Sequence, residues 1–562
     1  MRYRTVLFAI ITTLVSLSAG ARTQEITVST LNGDLTANLR NIFKGLNSSD
    51  MVIINFDKPG KYVLRGTVEC NSNIEIKGVG CKKVTIVLDK VSDTEGFKAF
   101  TDDTFIKVSG TRKRPIAVSI HDVTISLNSH KGLWWEKGEK FGVKIYHACK
   151  VEINRVNSYA DNAEFTNFDL RVCSNVTIKN CNITNYNNCT TGGIIWIRGE
   201  ACNVEISNNT FRKYGNDEAL AFFGATVDAH TGQQGLVKRE NILVCDNQFI
   251  YERSKGVDCR NLFNDVLVSY FSFDGKHAEG VGCCSKNVMF TDNKFEINSL
   301  CRTTLAFGFN ADDTQENVAI VANVLTNHPK NSKEKYNHQD IVITDNSVKR
   351  SPVYFCSNTI SNHTPVVNSY GATGNTIALL RGGNIQMEGN IINDYAPSSP
   401  LTRENLGTTL LWCGEQGGRA TLLGNKATGL KMLAIVSEGA GIDDFSISAS
   451  YNRFEGDTRI YCNKVRRLNL IFDRNTFVSS DMNFFLQEFA TDGNLVFINN
   501  EVHAKNGQLM THWSGTATSS MHFHTLEVTG NSFYGTNGEK DVLRNITNVQ
   551  RRNVSGNIYY HQ

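Results

Sequence analysis

NVEISNNTF at 203–211, NILVCDNQF at 241–249 and NVMFTDNKF at 287–295 are one phrase written three times: apolar, any, apolar, any two, Asn, any, apolar. It returns as DIVITDNSV at 340–348, NIQMEGNII at 384–392, LIFDRNTF at 470–477, LVFINNEV at 495–502 and LEVTGNSF at 526–533. NVTIKNCNI at 175–183 is the same phrase with Cys181 in the Asn slot. Alternation with period two and β-branched residues is a strand signal. The period leaves no room for helical crossovers, and there are no heptads. Asn452, Asn475 and Asn500 are 23 and 25 residues apart, enough for three short strands and three turns. That is the arithmetic of a parallel β-helix. One coil cannot bury its inward side chains, whereas coils stacked at roughly 4.8 Å share a continuous apolar core.

The chain has 60 Asn in 562 residues, and a β-helix gives that excess a cause. An Asn at the same turn of each coil tolerates a left-handed backbone and can bond to the Asn of the next coil. A structural role is therefore expected for Asn209, Asn247, Asn293, Asn346, Asn390, Asn425, Asn475, Asn500 and Asn531. N-x-S/T triplets such as the one at Asn208 are read as buried turns rather than glycan acceptors. The open end of a solenoid needs a cap. DLTANLRNIFKGL at 34–46 places Leu35, Leu39, Ile42, Phe43 and Leu46 on one helical face, with Asp34 as N-cap. The expected organisation is a signal peptide at 1–21, a cap at 22–59 and an all-β, right-handed parallel β-helix over 60–562. Between about 210 and 430 the Asn intervals lengthen to 38, 46, 53 and 44. These intervals hold either a coil lacking the Asn or long loops, and loops on a rigid scaffold are where function concentrates.

The N-terminus reads as an address. Arg2 and Arg4 precede the short apolar run VLFAIITTLVSL at 6–17, and Ala19-Gly20-Ala21 is an A-x-A cleavage site. Export with cleavage near Ala21, to the medium, periplasm or cell surface, is expected, without membrane insertion. The formal charge of +3 falls to 56 − 55 = +1 when two Arg leave with the signal, which excludes recruitment of nucleic acid by global charge. No oligomeric state is set by these features. The 15 Cys are odd in number and form no CxxC. Cys149, Cys173 and Cys202 stand at nearly the same offset from a strand, so most thiols are expected in the stacked core rather than in disulfides or metal sites.

The strand-and-Asn phrases, the signal and the helical cap resemble the pectin-lyase-like superfamily of right-handed β-helix proteins. That resemblance covers about 60–560 and implies a secreted protein acting on polysaccharide, as hydrolase or lyase. Residues 189–223, CTTGGIIWIRGEACNVEISNNTFRKYGNDEALAFF, go further. They are similar to the polygalacturonase order of an N-T-D-G turn, a strand and a G-D-D turn. Thr190-Thr191-Gly192-Gly193 stands at the first turn, with Gly192 in place of the acid. Gly215-Asn216-Asp217-Glu218 stands at the second. DGKHAEGVG at 274–282 loosely matches the family's G-H-G through His277, and the R-I-K motif has no counterpart.

An inverting hydrolase needs one carboxylic acid to protonate the leaving oxygen and a second carboxylate to activate water. The resemblance makes Asp217 and Glu218 the candidate pair. Glu218 is the expected acid if it faces outward beside an apolar wall, and His277 and Arg198 are expected helpers. A lyase instead needs a base, drawn from Arg198, Arg260, Lys276, His277 and Arg381. It also needs a cation such as Ca2+ on the substrate carboxylate, for which Asp217, Glu218, Asp258, Asp312 and Asp313 are the available ligands. The sequence itself requires no cofactor, and Asp312-Asp313 is read first as the start of a turn. Trp134, Trp135 and Trp196 are candidate sugar platforms and Arg381 a candidate substrate contact. A non-catalytic glycan-binding or adhesin-like β-helix is the alternative. It would show aromatic strips without clustered acids and bases.

Overall fold

The structure, a computed structural model, describes residues 21–89, 104–128, 140–161, 165–186, 192–214, 218–224, 237–252, 266–271, 283–299, 301–328, 338–363, 375–394, 408–414, 416–430, 432–436, 442–456, 458–463, 465–479, 484–487, 492–504, 523–543 and 549–561. The expected signal segment up to residue 20 lies outside them. The chain winds as a right-handed parallel β-helix with three faces. A single coil illustrates the plan. The strand Ile195–Ser207 runs along the first sheet, bends at Gly199 and continues along the second, and Thr210–Tyr214 forms the third. Every strand pairs in parallel with its equivalent one coil away. Leu170, Ile197, Phe222 and Tyr270 line up inward on the first sheet. Val176, Val204, Ile242 and Val288 do so on the second. On the third, Phe211, Phe249 and Phe295 stack with ring centroids 5.1 and 5.0 Å apart. These columns merge into one apolar core running the length of the solenoid.

The cap forms as its sequence requires. Helix α1, Leu35–Lys44, starts at Asp34, whose carboxylate accepts the Thr36 N–H at 3.0 Å. Leu39 and Phe43 are buried against the first coil, with Leu35, Ile42 and Leu46 packed beside them. The stack of parallel strands begins ahead of this helix, since Thr23–Thr27 pairs with Met51–Phe56. At the far end the short helix α2, Glu539–Val542, brings Val542 and Leu543 into the core.

The asparagine column is real, and its membership differs from the expectation. Asn475 sits directly beside Asn500: its backbone N–H and its Nδ2 both donate to Asn500 Oδ1, at 2.8 and 3.0 Å. The same pair of bonds joins Asn209, Asn247, Asn293, Asn323, Asn358, Asn390, Asn425, Asn452, Asn475, Asn500, Asn531 and Asn557 in sequence. Asn346 is not among them. Its phrase, 340–348, belongs to the first-sheet strand His338–Asp345, and Asn346 itself is exposed. Asn323 and Asn358 hold the rungs instead, so the interval of 53 contained a coil whose Asn sits in NVAIVANVL, the same phrase with apolar residues in its free positions as well.

The left-handed residue is also not the rung. It is the residue just before it: Asn180, Asn208, Asp246 and Asp292 have φ of 54–57°, with glycine at 389, 424, 530 and 556. The rung points inward to bond, and its exposed predecessor makes the turn. Asn208 therefore lies at an exposed turn, not a buried one. A second column was missed. Asn175, Asn203, Asn241, Asn287 and Asn317 open the second-sheet strands, all at φ of 51–57°, and each donates Nδ2 to the Oδ1 of the one before at 3.0–3.1 Å.

The cysteines split by register. Cys173 pairs with Ala148 and Ala201 and points inward, whereas Cys202 pairs with Ser174 and stands one residue out of that column, as does Cys149 beside Ala148. The shared offset read from sequence is therefore not a shared column. All 13 described cysteines are free, and Cys70, Cys173, Cys181, Cys283, Cys301, Cys413 and Cys462 are buried. Burial pushes the Cys173 and Cys181 thiols up to about 12 and Cys70 up to about 11. These seven thiols should stay unlabelled by maleimide at neutral pH until the protein is denatured. Mass spectrometry of unreduced protein should find fewer than five disulfides. Labelling of the folded chain at these positions, or five bridges, contradicts the core placement.

Candidate active site on the first sheet

Outward positions of the first sheet form two rows across successive coils. One reads Lys144, Asp169, Trp196, Ala221, Ser269, Ala306, Val342, Leu379 and Trp412. The other begins Tyr146, Arg171, Arg198 and Phe223. Charged side chains are rare on such strands, yet Asp169 and Arg171 occur two residues apart on the same face, and Arg198 follows in the next coil. Asp169 is fully buried. Arg171 Nε donates to its Oδ2 at 2.8 Å, and Arg198 Nε lies 3.3 Å from Oδ1. The Arg198 guanidinium covers the Trp196 ring at 4.3 Å and reaches the Phe223 ring at 5.7 Å. Lys144 Nζ sits 3.9 Å from the centre of the Phe141 ring. The buried carboxylate thus fixes two guanidiniums, and the aromatic rings hold Arg198 in one orientation.

Glu218 stands two residues before the strand Leu220–Phe223, and its carbonyl accepts the Ile194 N–H. Its side chain is buried and accepts a bond from Ser269 Oγ at 3.1 Å. Ser269 is an outward residue of the first sheet, so Glu218 joins the same face as Trp196 and Arg198. In the first row Ala221, Ser269 and Ala306 are small, between Trp196 on one side and Leu379 and Trp412 on the other, while Phe223 and Phe271 stand in the second row ahead of Gly308. Three connections of 11 to 13 residues join the strands of this face to the rest of the coil: 224–236 and 272–282 follow the strands Leu220–Phe223 and Val266–Phe271, and 253–265 precede the latter.

Of the residues picked from sequence, Glu218, Arg198 and Trp196 come together. Trp196 is a packed side chain and not an open platform. It is buried, edge-on to Phe223 at 5.4 Å, and folded over Gly193, where a Cβ would overlap its indole. Arg381 is exposed on the same sheet, one residue past Leu380, which pairs with Ile343. That places it five coils from Arg198, about 24 Å at coil spacing. Asp217, His277, Trp134 and Trp135 lie outside the described residues, as do Asp258, Arg260 and Lys276. Asp313 serves a turn: its carboxylate accepts the Cys283 N–H at 2.7 Å and the Asn310 N–H. Among the described residues no three His, Cys, Asp or Glu converge as metal ligands. Sequence reading missed Asp169 and Arg171, although two opposite charges at alternate positions in the apolar strand NFDLRV were the available signal.

A second concave surface lies on the outer second sheet of the first coils, a groove of about 420 Å³. His121 bridges two carboxylates there, with Nδ1 2.9 Å from Asp122 and Nε2 3.0 Å from Glu75. Arg155 donates twice to Asp122 at 2.7 Å. The Arg155 bonds hold the Asp122 carboxyl below its ordinary value of 3.8, with His121 assisting. A lowered pKa adds stability above the unfolded value, and that stability is lost as pH falls through the folded one. Because the pair is partly solvated, the contribution should stay under about 1 kcal/mol. Asp122→Asn should therefore lower the melting temperature slightly at pH 7 and not at all once the pH is below the folded value. An equal shift at both pH values contradicts the ion pair.

No protein-family model matches the chain, and no curated protein matches it. Among solved structures it is similar to the catalytic unit of a thermostable GH87 α-1,3-glucanase from Streptomyces thermodiastaticus, at 13% identity over 77% of this chain and 69% of that one, with a TM-score of 0.39. DFA-IIIase from Arthrobacter chlorophenolicus A6 gives 11% identity over 71% and 95%, with a TM-score of 0.36. A family 28 exopolygalacturonase from Yersinia enterocolitica gives 11% over 82% and 79%, with a TM-score of 0.35. Similarity at this level says nothing about residues or activity.

Proposed function

We propose that the chain is an exported carbohydrate-active enzyme that cleaves a polysaccharide laid along the first sheet. The observation that carries this reading is the clustering on one face, within neighbouring coils, of a buried acid (Glu218), two carboxylate-fixed guanidiniums (Arg171 and Arg198) and aromatic side chains around a floor of small residues. In this reading Glu218 touches the scissile glycosidic oxygen and donates its proton. The sequence-adjacent Asp217 activates water, and Arg198 pairs with a substrate carboxylate, which makes the preferred substrate acidic. Asp169 is a positioning residue that acts through Arg171 and Arg198. A lyase would use the same face with a base in place of the acid and Ca2+ on the uronate. The binding-only reading draws support from Asp169, whose charge is already met by two guanidiniums. A panel of acidic and neutral polysaccharides, assayed for new reducing ends and for unsaturated uronate absorbance, separates the three. Reducing ends alone indicate hydrolysis, both signals indicate a lyase, and neither signal with measurable binding indicates a non-catalytic glycan binder.

A further inference from the structure

The chain leaves the third sheet at His328 in one coil and at His363 in the next. His328 follows the strand Val324–Asn327 and His363 follows Thr359–Asn362, and these strands pair with Asn327 beside Asn362. The backbone ladder continues one residue further: His328 N–H donates to Ile297 O at 2.8 Å and His363 N–H to Asn327 O at 2.9 Å. The two imidazoles are therefore held in register on adjacent coils by main-chain bonds. Their ring centroids are 5.1 Å apart and their planes are at 87°. His328 is exposed and His363 half-buried, so solvent reaches the pair.

We infer that His328 and His363 form a two-histidine site for a divalent transition-metal ion of the zinc or nickel type. Imidazole is a preferred ligand of these ions, and Zn–N bonds are about 2.0–2.1 Å. Two imidazoles on one tetrahedral ion put their ring centres roughly 3.2 Å from the metal and about 5.2 Å from each other. The observed centroid separation of 5.1 Å is of that size. Among the described residues no third His, Cys, Asp or Glu joins the pair. An ion held this way ties one coil to the next at the edge where the chain passes from the third sheet to the first. Hard ions such as Ca2+ prefer oxygen ligands and are excluded by the donor type.

Untagged, EDTA-treated full-length protein titrated calorimetrically with Zn2+, and separately with Ni2+, tests the site. Outer-shell changes alone typically cost ten- to a hundredfold in metal affinity, so removing one of two protein ligands should cost at least about tenfold. His328→Ala and His363→Ala should each weaken binding by that much with unchanged circular dichroism, and the melting temperature should rise on Zn2+ addition in the parent protein alone. His503→Ala, an exposed histidine already bonded to Glu501 at 2.7 Å, should leave binding as it is. Absence of heat with either ion, or binding that survives both His328→Ala and His363→Ala, overturns the inference.

Discussion

Glu218→Gln is expected to slow glycan cleavage about 10²-fold or more, the usual size of a general acid–base contribution, while the fold stays intact. Glutamine has the same shape, and its Oε1 can still accept the Ser269 hydroxyl that Glu218 accepts at 3.1 Å. It cannot donate a carboxylic proton to a leaving oxygen. The substitution thus separates chemistry from support, which alanine would not, because alanine also strands Ser269 Oγ at a buried position. Should Glu218 merely hold its coil against the next, Glu218→Gln would keep both melting temperature and rate. An active preparation whose kcat is unchanged in this variant removes Glu218 from the mechanism and leaves the binding reading stronger. A raised KM alone, with kcat preserved, would place Glu218 in substrate contact and not in proton transfer.

What could be read in the sequence follows from what repeats. The rung Asn, its inward neighbours and the cap helix all obey short-range rules, so their pattern survives translation into one dimension. Asn323 and Asn358 escaped although VAIVANVL and VYFCSNTI fit the phrase, because apolar residues also fill its free positions (Ala319 and Val321, Tyr354 and Cys356) and blur the alternation, and Asn346 intruded because a first-sheet strand can spell the same phrase. The left-handed position was misplaced by one residue. Asn is common at both sites, and only the inward bond to the next coil distinguishes them. The candidate site was half legible for a related reason. Glu218 and Arg198 stood in text resembling a known turn order, but Asp169 belongs to the coil before. Its importance rests on contacts with Arg171 two residues on and Arg198 one coil on, and no local motif announces a pairing across coils. The large apolar side chain Trp196 could be read either as a platform or as packing. The glycine at 193 decides for packing, because it lets the indole lie back on the corner.

The same slot filled by the same side chain should cost very different amounts in different coils. Asn358→Val is expected to destabilise the protein by about 2–6 kcal/mol, whereas Cys181→Val should change stability by less than about 1 kcal/mol. Asn358 Oδ1 accepts the Asn323 N–H at 2.9 Å, and Asn358 Nδ2 donates to Ile320 O at 2.9 Å. Valine leaves both of these buried backbone groups without that partner, at about 1–3 kcal/mol each. The bond from the residue 358 N–H to Asn390 Oδ1 survives at 2.8 Å and keeps that oxygen partnered, although the second one, from Asn358 Nδ2, is lost. Cys181 occupies the same slot ahead of Asn209, and the slots of the two coils before it hold Val156 and Val123, both fully buried. Valine therefore fits there in shape. Cys181 contributes only weak thiol contacts to Ile153 O at 3.7 Å and Lys179 O at 3.2 Å, while its N–H bond to Asn209 Oδ1 is a backbone bond that valine keeps. Denaturant midpoints of the two variants, read with hydrogen exchange at the Asn323 amide, check the argument. Asn358→Val should lose protection at that amide and Cys181→Val should not. Equal costs would mean that the slot is governed by volume, and that the asparagine column decorates the turn without holding it.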